Sequence, residues 1–356
     1  MINERIEKIE NEKRIDKEEA ILLYEKSDLH LLGRLAHNIR LKKTDSSQVS
    51  YIVDRNINFT NICVSGCAFC AFYKKPDEEG GFLLSNDEIY NKIDEAIKKG
   101  ASRILMQGGL NPNLGLDYYE KLLKGIKERF KIHIHSFSPP EIVFIAEKEK
   151  ISTSKVLRHL KDAGLDSIPG GGAEILVEET RRKISPHKCS GKQWIEVMRE
   201  AHKLKMPTTA TMMFGHIESI KDRVFHLERI RELQDETGGF TAFIPWTFQW
   251  KNTKLGEFKA SSFEYLKTLA LSRIYLDNIK NIQSSWVTQG AKVAQLSLFF
   301  GANDLGGTMM EENVVRMAGA TFRMDEDEIV NLIERAGFVP VRRDNNYKIL
   351  EIKGGS

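Results

Sequence analysis

At 356 residues, 41% of them apolar, the chain is long enough for one large domain or two small ones around a sizeable core. Lys and Arg number 53 against 50 Asp and Glu, a net charge of +3 that leaves no basic stripe for nucleic acid. No apolar run reaches the roughly 18 residues of a membrane span, four cysteines with three clustered do not make a disulfide framework, and Met1-Ile2-Asn3-Glu4-Arg5 opens no apolar signal core, so a reducing cytoplasm is the expected home.

Residues 1–50 are charged and helical in pattern, an N-terminal helical cap. Asp16 is placed to cap a helix with Ala20, Ile21, Leu22 and Leu23, and a second run carries Leu29, Leu31, Leu32, Leu35 and Ala36. From residue 51, short β-like runs alternate with helical patterns, the mark of βα units on a parallel sheet. The predicted strands are Tyr51 to Phe59, Ser102 to Met106, Ile132 to Phe137, a short one at Ser167-Ile168, Thr208 to Phe214, Phe240 to Phe248, Ile282 to Trp286 and Asp304 to Met309. Helices fall between them, among them one opened by the capping box Ser85-Asn86-Asp87-Glu88 and others over Asp117 to Phe130, Gly191 to Lys205 and Ile220 to Glu236. Eight such units over residues 51–310 predict an α/β fold, a (β/α)8 TIM-type barrel; an open six-unit barrel is the alternative. Residues 311–356 read as a small C-terminal α+β extension packed on the barrel. Asp325 caps a helix there, and Val339 to Val341 pairs with Tyr347 to Ile352 as a hairpin about Asp344-Asn345-Asn346. The closing Gly354-Gly355-Ser356 is given no function.

The loop after the first strand runs Asn61-Ile62-Cys63-Val64-Ser65-Gly66-Cys67-Ala68-Phe69-Cys70-Ala71-Phe72-Tyr73, with three cysteines spaced C-x3-C-x2-C. Thiolates are the usual ligands of iron–sulfur clusters. Four would close a four-iron cluster, whereas three leave one iron open to a small molecule. Structural zinc is the plain alternative, but it needs four ligands, and the remaining cysteine is the distant Cys189, with no histidine between His37 and His133. A cluster that only carries electrons is the other alternative and lacks the same fourth thiolate.

Active sites of such barrels lie at the C-terminal ends of the strands, so the residues there are the candidates. Gln107-Gly108-Gly109 ends the second strand and Gly170-Gly171-Gly172-Ala173-Glu174 follows the fourth. Glycines let backbone approach a ligand, and the Glu174 carboxylate can accept hydrogen bonds from ribose hydroxyls; ordinary turns are the plain reading of both. Ser136 ends the third strand, and Phe69 and Tyr73 flank Cys70. His135 and His216 end strands three and five as acid–base candidates, against the commoner satisfied polar histidine. Trp246, Gln249, Trp286 and Gln289 are candidate walls for an aromatic substrate, with Thr211, Met213 and Asn303 beside them, although large aromatics there also serve packing.

The cysteine spacing, with Phe69 just before the last cysteine, resembles the radical S-adenosylmethionine superfamily. The stretches Asp54 to Asn61, Met106 to Pro112, Pro169 to Glu174, Thr209 to His216, Gln234 to Phe240, Pro245 to Gln249, Ser285 to Gly290 and Gly301 to Val315 narrow the match. Together they resemble the cyclic dehypoxanthinyl futalosine synthase (MqnC) family of menaquinone biosynthesis. The resemblance implies a [4Fe-4S] cluster on Cys63, Cys67 and Cys70, its open iron holding S-adenosylmethionine. It implies cofactor contacts from Phe69, Tyr73, Gln107, Gly108, Gly109, Ser136 and Glu174, and an electron donor such as flavodoxin or ferredoxin. The implied reaction takes hydrogen from the ribose C4′ of dehypoxanthine futalosine, a nucleoside-like substrate. The carbon radical adds to the benzoate ring, which then loses one electron and one proton, with His216 as the expected base and His135 second. Aminofutalosine synthase and the deazaflavin-precursor synthase stay open as sister activities.

Overall fold

Helix starts fall where a short polar side chain precedes an acidic one by three residues. In the computed structural model, which describes residues 2–354, Asp16 accepts the Glu19 N–H at 2.8 Å while Glu19 reaches back to the Asp16 N–H at 3.0 Å. Ser85 with Glu88 and Asp325 with Glu328 close the same reciprocal box, so helices begin at Lys17, Asn86 and Glu326. Met1 and the Gly355-Ser356 part of the tail lie outside the described residues. The charged N-terminal region forms helices Ile2–Glu10, Lys17–Lys26 and Leu29–Lys43. No described helix is long and apolar enough to cross a membrane.

The strands are β1 (Gln48–Ile52), β2 (Asp54–Asn58), β3 (Arg103–Gln107), β4 (His133–Ser136), β5 (Thr208–Phe214), β6 (Phe240–Thr247), β7 (Asn281–Ile282), β8 (Asp304–Gly307), β9 (Val339–Arg343) and β10 (Ile349–Ile352). Parallel ladders join β2 to β3 and β3 to β4, β5 to β6 and β6 to β7, and β1 to β8. Single bridges link these ladders: His135 with Ser167, Ile168 with Thr208, and Gln283 with Asp304. The pairing is that of a TIM-type fold, with helices between successive strands.

Several expected strands differ in extent. The first begins earlier and breaks at Val53, where the chain changes partners from β8 to β3. The fourth lies where expected, at Ser167 and Ile168, which pair by single bridges. The seventh stops at Ile282 rather than Trp286, because the Ser285 N–H is taken by the Tyr265 hydroxyl at 2.8 Å, and Trp286 opens a short helix to Gln289.

The C-terminal extension does more than pack on the barrel. β9 lies parallel to β1, Gln48 opposite Val339 through Tyr51 opposite Arg342, and β10 returns antiparallel on β9. β1 therefore begins before residue 50 and is shared between barrel and extension. Arg343, fully enclosed, holds Asp304 at 2.5 Å, the Tyr347 hydroxyl donates to the same carboxylate at 2.8 Å, and Asn345 meets Arg103. Charged groups this deep require such partners.

Candidate active site

The cysteine loop is tied down by its backbone. The Cys63 N–H donates to Lys74 O at 2.8 Å, Val64 N–H to Leu110 O at 3.1 Å and Cys70 N–H to Cys67 O at 3.2 Å. Asn61 clamps the returning chain, accepting from the Phe82 N–H at 2.8 Å and donating to Gly80 O at 3.0 Å. Gly109 fits against this loop because a Cβ there would overlap the Ile62 carbonyl oxygen. Strand end and cysteine loop are thus pressed together, which no bulkier residue permits.

The three thiols share the wall of one cavity of about 370 Å³ at the C-terminal ends of the strands. Ser65 sits 3.1 Å from Cys67 Sγ, and its N–H donates to Cys63 Sγ at 3.4 Å. Burial pushes the Cys63 thiol up and Cys70 to about 11. Among the described residues no set of three His, Cys, Asp or Glu groups is drawn together around a single ion; thiolates that each take a different iron of a cluster need not converge on one point. Three soft donors on one wall, with a loop short of a fourth, fit a four-iron cluster with an open iron.

Glu174 lines the same cavity, in the left-handed region at φ 41°. One carboxylate oxygen accepts from Lys188 Nζ at 2.8 Å, and the other is buried without a hydrogen bond among the described residues, with Arg181 3.7 Å away. An orphaned buried acceptor on a strained residue is what a ligand hydroxyl would satisfy. Lys188 also lies 5.0 Å over the Phe69 ring. Burial alone lowers its pKa, yet Cys67 and Glu174 outweigh burial and raise it.

Glu141 was not among the sequence candidates. It accepts the Gly108 N–H at 3.1 Å and the Ser138 hydroxyl at 2.6 Å, and burial raises it to about 7. The signal was the Ser138-Pro139-Pro140-Glu141 helix start after β4, which has the spacing of an N-terminal acid. Lys188 was missed in a loop without periodicity. Arg103, Asn56, Asn58 and Glu312 also line the cavity; Glu312 accepts from Asn56 at 2.9 Å, and burial raises its pKa.

Of the expected contacts, Phe69, Tyr73, Gln107, Gly108, Gly109, Glu174, His135, Thr211, Trp246 and Trp286 face this cavity with the cysteines. The others are placed elsewhere. Ser136 donates to Met106 O at 2.6 Å, and Met213 is fully buried. His216 turns inward, its Nδ1 3.0 Å from Glu218 and its Nε2 3.2 Å from Met213 O, with burial lowering its pKa. Gln249 and Gln289 both donate to the Thr247 hydroxyl, at 3.2 and 2.6 Å. Asn303 opens β8 at the opposite end, accepting from Arg273 at 2.7 Å and the Ile282 N–H at 2.9 Å.

Comparison with known proteins identifies the family. Residues 57–230 match the radical SAM superfamily and residues 237–354 the CofH/MqnC C-terminal region. The chain is 48% identical to cyclic dehypoxanthine futalosine synthase of Halalkalibacterium halodurans, over 97% of this chain and 94% of that one. It is 44% identical to the protein of the same name from Streptomyces coelicolor, over 95% and 86%. Identity is also 44% with 5-amino-6-(D-ribitylamino)uracil–L-tyrosine 4-hydroxyphenyl transferase of Methanocaldococcus jannaschii, over 96% and 98%. Among solved structures, the FeFe-hydrogenase maturase HydG of Carboxydothermus hydrogenoformans superposes with TM-score 0.76 at 17% identity, over 97% of this chain and 80% of that one. Methylornithine synthase superposes with TM-score 0.73 at 18% identity, over 95% and 97%; both likenesses concern the fold. From the cysteine loop to the C-terminal strands, the chain belongs to the radical S-adenosylmethionine superfamily, in its CofH/MqnC branch.

Proposed function

We propose that this enzyme is a radical cyclase that converts dehypoxanthine futalosine to cyclic dehypoxanthine futalosine in the futalosine route of menaquinone biosynthesis. The observation that carries the reading is the 48% identity, over nearly the full length of both chains, with a synthase of that name. A [4Fe-4S] cluster with S-adenosylmethionine on its open iron supplies, when reduced, a 5′-deoxyadenosyl radical that abstracts hydrogen from the ribose C4′.

Cys63, Cys67 and Cys70 hold the cluster. The unsatisfied oxygen of Glu174 accepts from the cofactor ribose, Gln107 to Gly109 pass close beside it, and Phe69 and Tyr73 lie against its adenine. Trp246, Trp286 and Thr211 wall the substrate. His135 replaces His216 as the base for the ring proton, because it faces the cavity while His216 is buried away from it beside Glu218. Burial keeps His135 neutral, the form that accepts a proton. The scaffold is an eight-unit (β/α)8 barrel over residues 51–310, capped by residues 1–50 and completed by residues 311–356. A flavodoxin or ferredoxin in the cytoplasm supplies the electron; neither nucleic acid nor membrane takes part.

The second reading is the tyrosine–pyrimidine transferase, favoured by relatives of 44% identity. The test is anaerobic: cluster-loaded enzyme, dithionite and S-adenosylmethionine, with either substrate set, followed by mass spectrometry. A product lighter than dehypoxanthine futalosine by two hydrogens, formed with 5′-deoxyadenosine, is expected. A coupled product from tyrosine and the ribitylaminouracil instead would assign the transferase.

A further inference from the structure

Ser167 joins two histidines that face different spaces. It is fully buried, and its Oγ lies 2.6 Å from His135 Nδ1, 2.7 Å from His133 Nε2 and 3.2 Å from Asn345 Nδ2. The Asn345 amide is oriented by its other end. Its Oδ1 lies 3.0 Å from Arg103 Nη1, a group that only donates, so Nδ2 faces Ser167 and donates to it. Arg103 is in turn fixed by Asp54.

A hydroxyl has one hydrogen and two acceptor positions. Asn345 fills one acceptor position, which leaves one hydrogen and one acceptor position for two ring nitrogens. The histidines therefore take opposite parts: one donates its N–H to Ser167 and the other accepts the Ser167 O–H. Alternate residues of a strand share a face, which puts both rings of β4 beside the same hydroxyl. His135 lines the cavity of the cysteines. His133 instead lines an open cleft at the N-terminal end of β4, with Lys127, Lys131 and Asp166.

We propose that His135, Ser167 and His133 form a proton relay from the active-site cavity through the barrel wall to this cleft. The proposal rests on the cyclase reading, in which the substrate ring loses a proton inside the cavity. Before transfer, His135 donates Nδ1–H to Ser167, Ser167 donates to His133 Nε2, and His135 Nε2 offers its lone pair to the substrate. As Nε2 takes the ring proton, the Nδ1 proton passes to Ser167 Oγ and the Ser167 proton passes to His133 Nε2. His133 then releases its Nδ1 proton to water in the cleft. One proton enters, one leaves, and no electron travels this way. Between turnovers the tautomers reset by the reverse shuttle, one proton entering at His133 Nδ1 from the cleft and the His135 Nε2 proton leaving to water in the emptied cavity.

The charged groups around the relay are Arg103 from β3 and Arg343 from β9 beside His135, and Asp166, Arg103, Lys127 and Asp344 beside His133. Burial holds both rings below the ordinary imidazole range, so the relay rests in its neutral, proton-accepting form.

The first test is nitrogen NMR of the full chain labelled in histidine, before cluster loading. The two rings are expected as opposite tautomers, and Ser167→Ala is expected to remove that opposition. The second test uses cluster-loaded enzyme. Ser167→Ala and His133→Asn are each expected to lower cyclised product per 5′-deoxyadenosine at least tenfold, with an altered solvent isotope effect and pH profile. Ser167→Thr, which keeps the hydroxyl, is expected to restore the ratio. His133→Asn changes a partly exposed residue and serves if the Ser167 variant fails to fold. Like tautomers in the unaltered protein, or an unchanged product ratio in His133→Asn, would overturn the relay. Unaltered enzyme that cleaves the cofactor but leaves dehypoxanthine futalosine intact would overturn the cyclase reading instead, and the tautomer result would still stand on its own.

Discussion

The buried oxygen of Glu174 that has no hydrogen bond makes a quantitative prediction. Hydrogen bonds to a charged acceptor contribute about 1.5–3 kcal/mol. Glu174→Gln keeps the volume and removes the charge, so the Kd for S-adenosylmethionine, measured by calorimetry on cluster-loaded protein, is expected to rise roughly 10- to 100-fold. Unchanged affinity would remove Glu174 from the cofactor site. Glu141 predicts a pH effect. Its folded value, about 7, lies above the ordinary 4.5, so the folded state binds the extra proton between the two. The stability it contributes is full below 4.5 and is lost as pH rises through about 7, a change on the order of 3 kcal/mol. Urea unfolding at pH 5 and pH 8 should show this loss in the unaltered protein and a smaller difference in Glu141→Gln. The cysteines and glycine-rich strand ends were readable because their chemistry is carried by residue type and spacing. Lys188 was not, since a single lysine in a loop carries no pattern until a fold buries it, and the spacing of Glu141 marked it as a helix-start acid without marking its burial. His216 lies just past its strand as expected, but its ring is buried beside Glu218 and the Met213 carbonyl and does not line the cavity.

At the scale of elements, two glycines near the cluster differ in what holds them. A Cβ at Gly109 would overlap the Ile62 carbonyl oxygen, so Gly109→Ala must push β3 and the cysteine loop apart. Gly66 has open space around it and needs only its positive φ of 61°. Gly109→Ala is expected to lose most of its iron on reconstitution. Gly66→Ala should still load, at a stability cost of about 1–2 kcal/mol in chemical denaturation. Equal iron content in both would mean that the strand–loop contact does not shape the site. Helices with capping boxes were legible to within a residue or two, because the cap is a local agreement between side chain and backbone. The short strands were less so. Ser167 and Ile168 were placed as expected, but the end of β7 is decided by the distant Tyr265 hydroxyl.

Across the whole molecule, the extension supplies what the barrel needs at its floor. Arg343 and Asp304 are both buried, and removing one partner of such a pair costs about 3–5 kcal/mol. Arg343→Ala should lower stability by that amount in denaturant unfolding, because among the described residues Asp304 would keep only the Tyr347 and Ser50 hydroxyls as side-chain partners. Adding Asp304→Asn should recover part of the loss. The hairpin about Asp344 to Asn346 was visible as a turn between apolar runs; its parallel union with β1 was not, since long-range pairing leaves no mark in local pattern.

That union also orders events in time. β9 is translated about 290 residues after the strand it pairs with, Gln48 against Val339. At roughly 5–20 residues per second, the cysteine thiols leave the ribosome tens of seconds before the sheet can be completed. Pairings so distant in sequence form slowly. The nascent chain therefore presents three reduced thiols on an unfinished scaffold, and iron delivered before the last strand docks would meet a loop not yet backed by a complete barrel.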